Sequence, residues 1–191
     1  MTTAITGGIG SGKSYVCRLL QQRGIEVFNC DIVAKHIIAT DPEVREALQA
    51  LIGTALTKES LGAYLRSSTD HATRVNAIVH PRVAKAFVES GMEWMECAIL
   101  FESGFDRLVD RVVVVTCPEE ERIRRIIARD HCDRATALRW LALQMTDEER
   151  LQRARMSSRS QNESHRPPFH VVNDGITPIE PQIDALLSHY E

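Results

Sequence analysis

The feature that most constrains the fold of this chain is a glycine-rich run near its N-terminus. Residues 7–14 read GGIGSGKS, which fits the pattern G-x-x-x-x-G-K-[ST]. An apolar run typical of a strand precedes the pattern, and a helical segment that ends near Gly24 follows it. The pattern binds phosphate when it connects a strand to a helix in this way. The sequence therefore predicts an α/β fold whose first strand leads into a phosphate-binding loop.

The residues of this loop indicate how it would hold a nucleotide. Glycines allow successive backbone N–H groups to curve around phosphate oxygens, and the following helix adds the positive end of its dipole. Lys13 would reach the β- and γ-phosphates of ATP, and the Ser14 hydroxyl would bind Mg²⁺. The alternative is a glycine-rich turn that only connects a strand to a helix. The predicted nucleotide-binding residues of the loop are Gly8, Ile9, Gly10, Ser11, Gly12, Lys13 and Ser14.

Further apolar runs follow along the chain, and helical patterns separate them. Strands separated by helices need crossover connections, which favour a mostly parallel sheet. We therefore predict a three-layer sandwich of the P-loop NTPase type, with a five-stranded, mostly parallel sheet between helices. The clearest helix is expected over Pro118 to Arg129. The predicted strands are Thr2 to Thr6, Ile25 to Asn29, Cys97 to Phe101, Arg111 to Thr116 and Phe169 to Asn173.

Two long segments interrupt this alternation and predict additions to a single nucleotide-binding domain. Residues 31–95 read as consecutive helices, and we expect them to form a helical acceptor-binding subdomain. Residues 130–168 are rich in arginine and end in the polar stretch Ser157 to Pro168, which is typical of a mobile lid. The nucleotide-binding core would then comprise residues 1–30, 96–129 and 169–191. The helix starts expected in the first segment are Asp41-Pro42, Ser68 and His80-Pro81.

The charge of the chain is low overall but unevenly placed. The 191 residues carry a formal net charge of −3, which argues against a protein that binds nucleic acid without regard to sequence. Of the 23 lysines and arginines, 11 are arginines between Arg122 and Arg166. The planar guanidinium suits bidentate contacts with phosphate, so the cluster indicates polyphosphate binding. An exposed helical face is the alternative.

The N-terminal residues and the cysteines predict a cytoplasmic protein. The chain begins with MTTAIT and enters the glycine-rich run directly, without a positively charged segment followed by a long apolar run. No stretch approaches the roughly 18 consecutive apolar residues of a membrane helix. The five cysteines are scattered without a C-x-x-C pair, which is typical of reduced thiols and not of a zinc site. We expect no membrane association, and no obligate protein partner is evident.

A carboxylate follows the second predicted strand. That strand leads through Asn29 to Asp31, and the carboxyl ends of parallel strands lie at the sheet edge that carries the phosphate loop. Asp31 could therefore accept the proton of an acceptor hydroxyl, help to hold Mg²⁺, or do both. It could also be the N-cap of a helix that begins at Ile32.

Together these segments resemble the dephospho-CoA kinase family over nearly the whole chain. The family opens with TGGIGSGKS, which is matched without change from Thr6 to Ser14. Its D-A-D segment corresponds to residues 29–31, where Asn29 replaces the first aspartate. The resemblance implies phosphoryl transfer from ATP to the ribose 3′-hydroxyl of dephospho-CoA. It also implies that Asp31 is the catalytic base, and that this segment offers one carboxylate to Mg²⁺ instead of two.

Two more segments of the family pattern imply acceptor-binding residues. L-N-x-x-x-H-P corresponds to residues 75–81, which implies a place in the acceptor site for His80; from the residues alone, His80 reads as a helix-entry residue. Lys58 stands where the family usually carries an arginine. V-P-L-L-F-E corresponds to residues 97–102, so Glu102 would end a strand beside the phosphate site. Glu102 is expected to bind the acceptor or join the magnesium shell, or only to hydrogen-bond the loop backbone.

The lid and the C-terminal strand also resemble the family. Arg129, Arg134 and Gln144 fall at family-like positions. The resemblance implies that Arg129 and Arg134 close over the phosphates, so that with the loop lysine they neutralise the charge that develops during transfer. The family's segment D-x-V-I-x-N-x-G implies that Asn173 lies beside the adenine.

Other functions stay open on the sequence alone. Another small-molecule P-loop kinase, such as a nucleoside monophosphate, shikimate or gluconate kinase, would share the loop and differ only in the later segments. A nucleotide-binding switch or GTPase belongs to a different class, and the chain lacks the N-K-x-D motif by which GTPases usually recognise guanine. A nucleic-acid-binding module is disfavoured by the net charge and by the scarcity of aromatic residues among the arginines.

Overall fold

The computed structural model describes residues 1–157 and 167–190. The chain forms two compact units, one of Met1–Phe28 with Met92–Glu191 and one of Asn29–Gly91. Residues 158–166, which make up most of the polar stretch expected at the end of the lid, lie outside the described residues. The α-helices are α1 (Lys13–Gln21), α2 (Cys30–Thr40), α3 (Pro42–Ile52), α4 (Lys58–Ser67), α5 (Thr69–Ser90), α6 (Glu119–Asp130), α7 (Arg134–Ala142), α8 (Asp147–Ser157) and α9 (Glu180–Tyr190).

The strands form one five-stranded sheet in the order β2-β3-β1-β4-β5. β1 pairs in parallel with β3 and β4, and β4 pairs in parallel with β5. The predicted α/β architecture with a mostly parallel sheet is therefore confirmed. The strands are β1 (Thr3–Thr6), β2 (Val27–Asn29), β3 (Trp94–Glu96), β4 (Arg111–Thr116) and β5 (Phe169–Val172).

Both faces of the central strands are buried, which explains why β4 reads as a continuous run of valines. Side chains that alternate along a strand point to opposite faces. Val113 and Val115 belong to the apolar core that also contains residues of α1 and α9, and this core includes Ile5 of β1. The alternating residues Val112 and Val114 are buried as well. A parallel sheet covered on both faces is the middle layer of a three-layer arrangement.

The third strand differs from the prediction. It spans Trp94–Glu96 and not Cys97 to Phe101, and a hydrogen bond of 3.0 Å from Cys97 N to Ile5 O follows its last paired residue. β1 ends at Thr6, where the chain turns into the glycine-rich loop, so β1 offers no further residues for pairing. Phe101 is buried in a turn instead. Residues 97–101 are apolar, and a short apolar run is typical of a strand, but these residues are not among those paired with β1.

The second unit consists of α2, α3, α4 and α5. Apolar side chains recur along α5 at every fourth residue, and α2, α3 and α4 all contact this helix. The side chain of Asp41 caps α3, and that of Ser68 caps α5, so two of the predicted helix starts are confirmed. The buried residues of α5 that form this stripe are Val75, Val79, Val83 and Phe87.

The third predicted helix start, at His80-Pro81, is wrong. α5 continues through Pro81 as one helix of 22 residues. Proline removes one backbone donor from a helix and crowds the preceding turn, so it usually marks a helix end. Here the apolar stripe is buried on both sides of Pro81, and packing of that stripe outweighs the lost hydrogen bond. His80 is therefore a residue of the helix interior and not a helix-entry residue.

Candidate active site

The glycine-rich run forms a loop between β1 and α1, as predicted. Gly12 has a left-handed backbone, with φ of 91°, and its carbonyl accepts hydrogen bonds from Tyr15 N and Val16 N at the start of α1. The ammonium group of Lys13 turns back and donates to the carbonyl oxygen of Gly8, with an Nζ–O distance of 3.2 Å. The loop is thus folded back on itself, with the Lys13 ammonium held at the carbonyl of Gly8.

Side chains from elsewhere in the same unit hold the backbone of the loop. Nε of Arg122 donates to Ile9 O at 2.9 Å, and Nδ2 of Asn173 donates to Ser11 O at 2.7 Å. Both side chains approach so closely that a Cβ atom at Gly8 would stand 2.0 Å from Arg122 Nη2, and one at Gly12 2.0 Å from Asn173 Nδ2. Gly12 therefore requires glycine for reasons of space and of backbone conformation, whereas at Gly8 only the approach of Arg122 disfavours a side chain.

Asn173 was predicted to lie beside the adenine, and its contacts in the structure are with the loop. It is buried, and its amide oxygen accepts a hydrogen bond from Arg125 Nη2 at 3.2 Å while its amide nitrogen donates to Ser11 O. Arg125 is in turn paired with Glu121, with an Nε–Oε1 distance of 2.9 Å. These bonds connect the end of β5 both to α6 and to the phosphate loop.

Two buried arginines, Arg122 and Arg150, share Asp147 as a partner. Sequence reasoning missed both residues. Asp147 Oδ1 lies 3.5 Å from Arg122 Nη1 and 3.4 Å from Arg150 Nη1, and Asp147 Oδ2 accepts from Cys117 N at 3.1 Å. Arg150 is fully buried, and this burial lowers the pKa of its guanidinium. Arginines on helices are usually exposed, so only the tertiary structure could identify these two as buried.

The Ser14 hydroxyl meets a carboxylate that the sequence analysis did not select. Ser14 Oγ donates to Glu96 Oε1 at 3.1 Å. Glu96 is the last residue of β3, so it stands at the carboxyl end of a strand next to β1. Burial raises the pKa of the neighbouring Cys17 thiol, and the Glu96 carboxylate acts in the same direction. A serine hydroxyl and a carboxylate are oxygen donors of the kind that Mg²⁺ prefers.

Glu102 does not have the predicted position at a strand end. It follows the turns after β3 and is exposed. The strand-terminal acid in this part of the chain is Glu96, six positions earlier, because β3 ends before the apolar run that was taken for a strand. A shorter third strand could have been expected from the sequence. β1 has few residues before the glycine-rich loop begins, and its length limits how many residues of β3 can pair with it.

The two lid arginines that were predicted to close over the phosphates are paired with carboxylates in the structure. Arg134 Nη2 lies 2.6 Å from Glu120 Oε1, and Arg129 Nη2 lies 2.7 Å from Asp130 Oδ2. The hydrogen bond from Arg134 lowers the pKa of Glu120. The arginines that contact the loop are Arg122 and Arg125, which lie earlier on α6.

In the second unit, the structure separates the roles of Asn29 and Asp31. The side chain of Asn29 accepts a hydrogen bond from Ile32 N at 2.9 Å and caps α2. The alternative in which Asp31 is the N-cap is therefore wrong. Asp31 lies in the first turn of α2 and is exposed. Asn29, which replaces the first aspartate of the family pattern, therefore supplies the cap of α2.

The other two candidates of the second unit lie on different helices. Lys58 is the first residue of α4 and is exposed. His80 lies within α5, is half-buried, and has a pKa lowered by that burial. A neutral imidazole can donate or accept a hydrogen bond but does not carry the charge that would attract phosphate.

The structure also describes the cysteines, the groups of possible metal ligands and the lengths of the helices. All five cysteines are free, and only Cys132 is not fully buried. Within residues 1–157 and 167–190, no cluster of three or more histidines, cysteines or acids could hold a metal ion. In the same described residues, no helix is long and apolar enough to cross a membrane.

A phosphate loop between a parallel strand and a helix, with a hydroxyl and a carboxylate joined at the start of that helix, defines a P-loop nucleotide-binding protein. The model of one family, dephospho-CoA kinase, matches residues 1–165. The chain belongs to the dephospho-CoA kinase family, as its resemblance to that family indicated.

Individual relatives agree with this assignment. The dephospho-CoA kinase of Bacteroides fragilis is 38% identical over an alignment 201 positions long, which covers 96% of this chain and 90% of that protein. A crystal structure from Thermus thermophilus is 26% identical, with a TM-score of 0.78, and covers 100% of this chain and 95% of that one. A dephospho-CoA kinase structure from Campylobacter jejuni, 18% identical with a TM-score of 0.63, covers 99% and 96% and supports the fold alone.

Proposed function

We propose that the chain transfers the γ-phosphoryl group of ATP to the 3′-hydroxyl of the ribose of dephospho-CoA, giving coenzyme A and ADP. The observation that carries this proposal is the match of the dephospho-CoA kinase family over residues 1–165, on a chain whose phosphate loop is already folded back around its lysine. We place the reaction in the cytoplasm, because scattered free thiols are typical of that reducing compartment.

In the transfer step, the acceptor hydroxyl oxygen forms a bond to the γ-phosphorus, and the bond from that phosphorus to the β–γ bridging oxygen breaks. The proton of the acceptor hydroxyl passes to Asp31, which we assign as general base because it is exposed and is not used as a helix cap. ADP leaves with the bridging oxygen. Lys13 neutralises charge on the β- and γ-phosphates, as in other loops of this pattern.

We further propose that Ser14 and Glu96 hold Mg²⁺, with Asp31 as a third candidate ligand. The fit is supported by the hydrogen bond between Ser14 Oγ and Glu96 Oε1, because two oxygen donors already stand within 3.1 Å of each other. Mg²⁺ usually takes one or two carboxylates and fills its other positions with water and phosphate oxygens. When bound, the ion neutralises negative charge on the triphosphate.

The remaining assignments concern the acceptor and the lid. Lys58, His80 and Glu102 are proposed to bind the acceptor. Arg129 and Arg134 are proposed to exchange their carboxylate partners for phosphate oxygens during turnover. Both present ion pairs lie at exposed or half-exposed side chains, where such pairs contribute little to stability, so the exchange costs little.

Incubation of the purified protein with Mg-ATP and dephospho-CoA tests this function. Chromatography should show coenzyme A and ADP formed in equal amounts, and ³¹P NMR should place the new phosphate on the 3′-oxygen. Coenzyme A offered as acceptor is the substrate control, because its 3′-position is already occupied. Formation of ADP without coenzyme A would contradict the acceptor, and failure of any turnover in a protein that binds ATP would contradict the kinase function.

A pair of lysine variants controls for the folded state. Lys13→Ala should lower turnover by about 100-fold or more, since it removes a cation from the reacting phosphates. Lys85→Ala is the matched control, because Lys85 lies on the exposed surface of α5, where it pairs with Glu89 at 3.6 Å. Equal loss in both variants would show that the effect of Lys13→Ala is not specific to the loop.

A further inference from the structure

The peptide unit between Gly8 and Ile9 has a hydrogen-bond partner on each of its two edges. Its carbonyl oxygen, on Gly8, accepts from Lys13 Nζ at 3.2 Å and from Ser11 N at 3.1 Å. Its N–H group, on Ile9, donates to Oε1 of Gln144 at 2.7 Å. The peptide bond is trans, so the two groups point in opposite directions. Lys13 and Gln144 therefore hold opposite edges of one rigid plane.

The orientation of this plane decides whether Lys13 can keep its hydrogen bond to the carbonyl oxygen of Gly8. A peptide plane rotates as a unit when ψ of the residue before it and φ of the residue after it change together. Glycine allows such rotation with little steric cost, and the residue before this plane is Gly8. If the plane rotated by half a turn, the N–H group would face the Lys13 ammonium and the carbonyl would face away. A donor opposite a cation is unfavourable, so Lys13 would move.

Gln144 is the side chain that fixes the N–H edge of this plane. It lies between α7 and α8, three residues before Asp147. Asp147 contacts Arg122, whose Nε holds the next carbonyl of the loop, Ile9 O, at 2.9 Å. The segment from Gln144 to Asp147 thus holds Ile9 directly at its N–H group and indirectly at its carbonyl.

We propose that Gln144 is a positioning residue that sets the orientation of the Gly8–Ile9 peptide and, through it, the position of the Lys13 ammonium. The inference rests on the proposed function, because it is the reactive phosphates of ATP that Lys13 serves. Gln144 acts without touching those phosphates. Because Gln144 follows α7, displacement of α7 and α8 would release the peptide and change the position of Lys13 at the same time.

The first test needs no ligand. The lysines of the chain are Lys13, Lys35, Lys58 and Lys85, so ¹³C-labelled lysine gives few NMR signals, and a Lys13→Met variant identifies the one from the loop. Gln144→Met keeps the length of the side chain and removes its hydrogen-bond acceptor. This variant should move the Lys13 signal and leave the other three unchanged. An unmoved Lys13 signal in a folded Gln144→Met protein would overturn the proposal.

Gln152→Met is the matched control. Gln152 is exposed on α8, so the same chemical change is made at an exposed position in the same part of the chain. It should leave the Lys13 signal where the wild-type protein has it. A shift of equal size in both variants would also overturn the proposal, because the signal would then report a general change in α8.

The second test is a double-mutant cycle on the affinity for a non-hydrolysable ATP analogue, measured by calorimetry. Gln144→Met should weaken binding by about tenfold, as expected when one partly buried N–H group loses its acceptor. In the Lys13→Met background, the same change should weaken binding by less than about threefold, because its effect passes through the lysine. Additive losses would overturn the proposal and assign Gln144 a separate role.

These outcomes can be separated from a failure of the proposed function. If the wild-type protein binds the ATP analogue but does not phosphorylate dephospho-CoA, the function is wrong, and the NMR test of Gln144 still applies. If coenzyme A is formed and the Lys13 signal does not respond to Gln144→Met, the function stands and the positioning role is wrong.

Discussion

Replacement of Asn173 by alanine should destabilise the protein and loosen its phosphate loop. The amide nitrogen of Asn173 makes a buried hydrogen bond of 2.7 Å to Ser11 O, and its amide oxygen accepts from Arg125 at 3.2 Å. Alanine removes both bonds and leaves the carbonyl of Ser11 without this donor in a site that is buried from water. The contact lies between the end of β5 and the loop, so its loss also frees the loop before α1.

The size of the effect follows from these contacts. A net hydrogen bond contributes about 1 kcal/mol, and a buried group left without its partner costs about 1–3 kcal/mol. We therefore expect Asn173→Ala to lower the free energy of unfolding by about 2 kcal/mol. For a chain of this length, that corresponds to a decrease in Tm of about 4–8 °C. Asn173→Asp should cost more, because a carboxylate oxygen would replace the donor facing the carbonyl of Ser11.

Urea denaturation and thermal unfolding of the ligand-free protein measure the loss, and calorimetry with ATP and GTP measures the consequence for binding. If Asn173 holds the loop, both variants lower stability, with aspartate the worse, and both nucleotides lose affinity together. If Asn173 instead reads the adenine, stability is kept and the preference for ATP over GTP falls. Unchanged stability in both variants would refute the reasoning from the Ser11 contact.

Three further predictions concern other parts of the molecule. Glu96→Gln should raise the Mg²⁺ concentration needed for half-maximal activity by about tenfold. Glu93→Gln, near the other end of β3, is the control and should leave this concentration unchanged. The same Mg²⁺ dependence of activity in both variants would exclude Glu96 as a ligand. Pro81→Ala should raise the free energy of unfolding by about 1–3 kcal/mol in urea melts, because a helix-interior donor is restored; a lower midpoint would contradict this. Burial lowers the pKa of His80 below its usual 6.5, so the unfolded chain binds the extra proton and stability falls as pH drops below about 6.5. Unfolding measured at several pH values should show a shallower fall for His80→Gln, and an unchanged slope would disprove a buried neutral imidazole.

Much of the site was predictable from the sequence because its chemistry is local. The spacing of glycines, Lys13 and Ser14 belongs to one short loop, and its position between a strand and a helix could be read from neighbouring residues. Asp31 was selected by the same local reasoning and stays a candidate, and the structure gives the cap of α2 to Asn29 instead. Family resemblance supplied the acceptor, which no local pattern could have identified.

The misses arose where a residue's role depends on a distant partner. Glu102 was preferred to Glu96 because an apolar run was taken for a strand, whereas the length of β3 is limited by its partner β1. The assignment of Arg129 and Arg134 to the phosphates stays a prediction, and the contacts of Arg122 and Arg125 with the loop were not foreseen from the sequence. Arg122, Arg125 and Arg129 lie on α6 and Arg134 is the first residue of α7, and local sequence does not show which of these side chains contacts the loop.

The sequence by itself determined the phosphate loop, the parallel α/β architecture and the family, because backbone conformation, hydrophobic periodicity and short motifs depend on residues close together in the chain. The tertiary structure alone decided which side chains hold that loop. Gln144 reaches Ile9 across 135 positions and Asn173 reaches Ser11 across 162. Hydrogen bonds act only over a few ångströms, so such pairs exist only once the sheet and its helices have brought distant segments together.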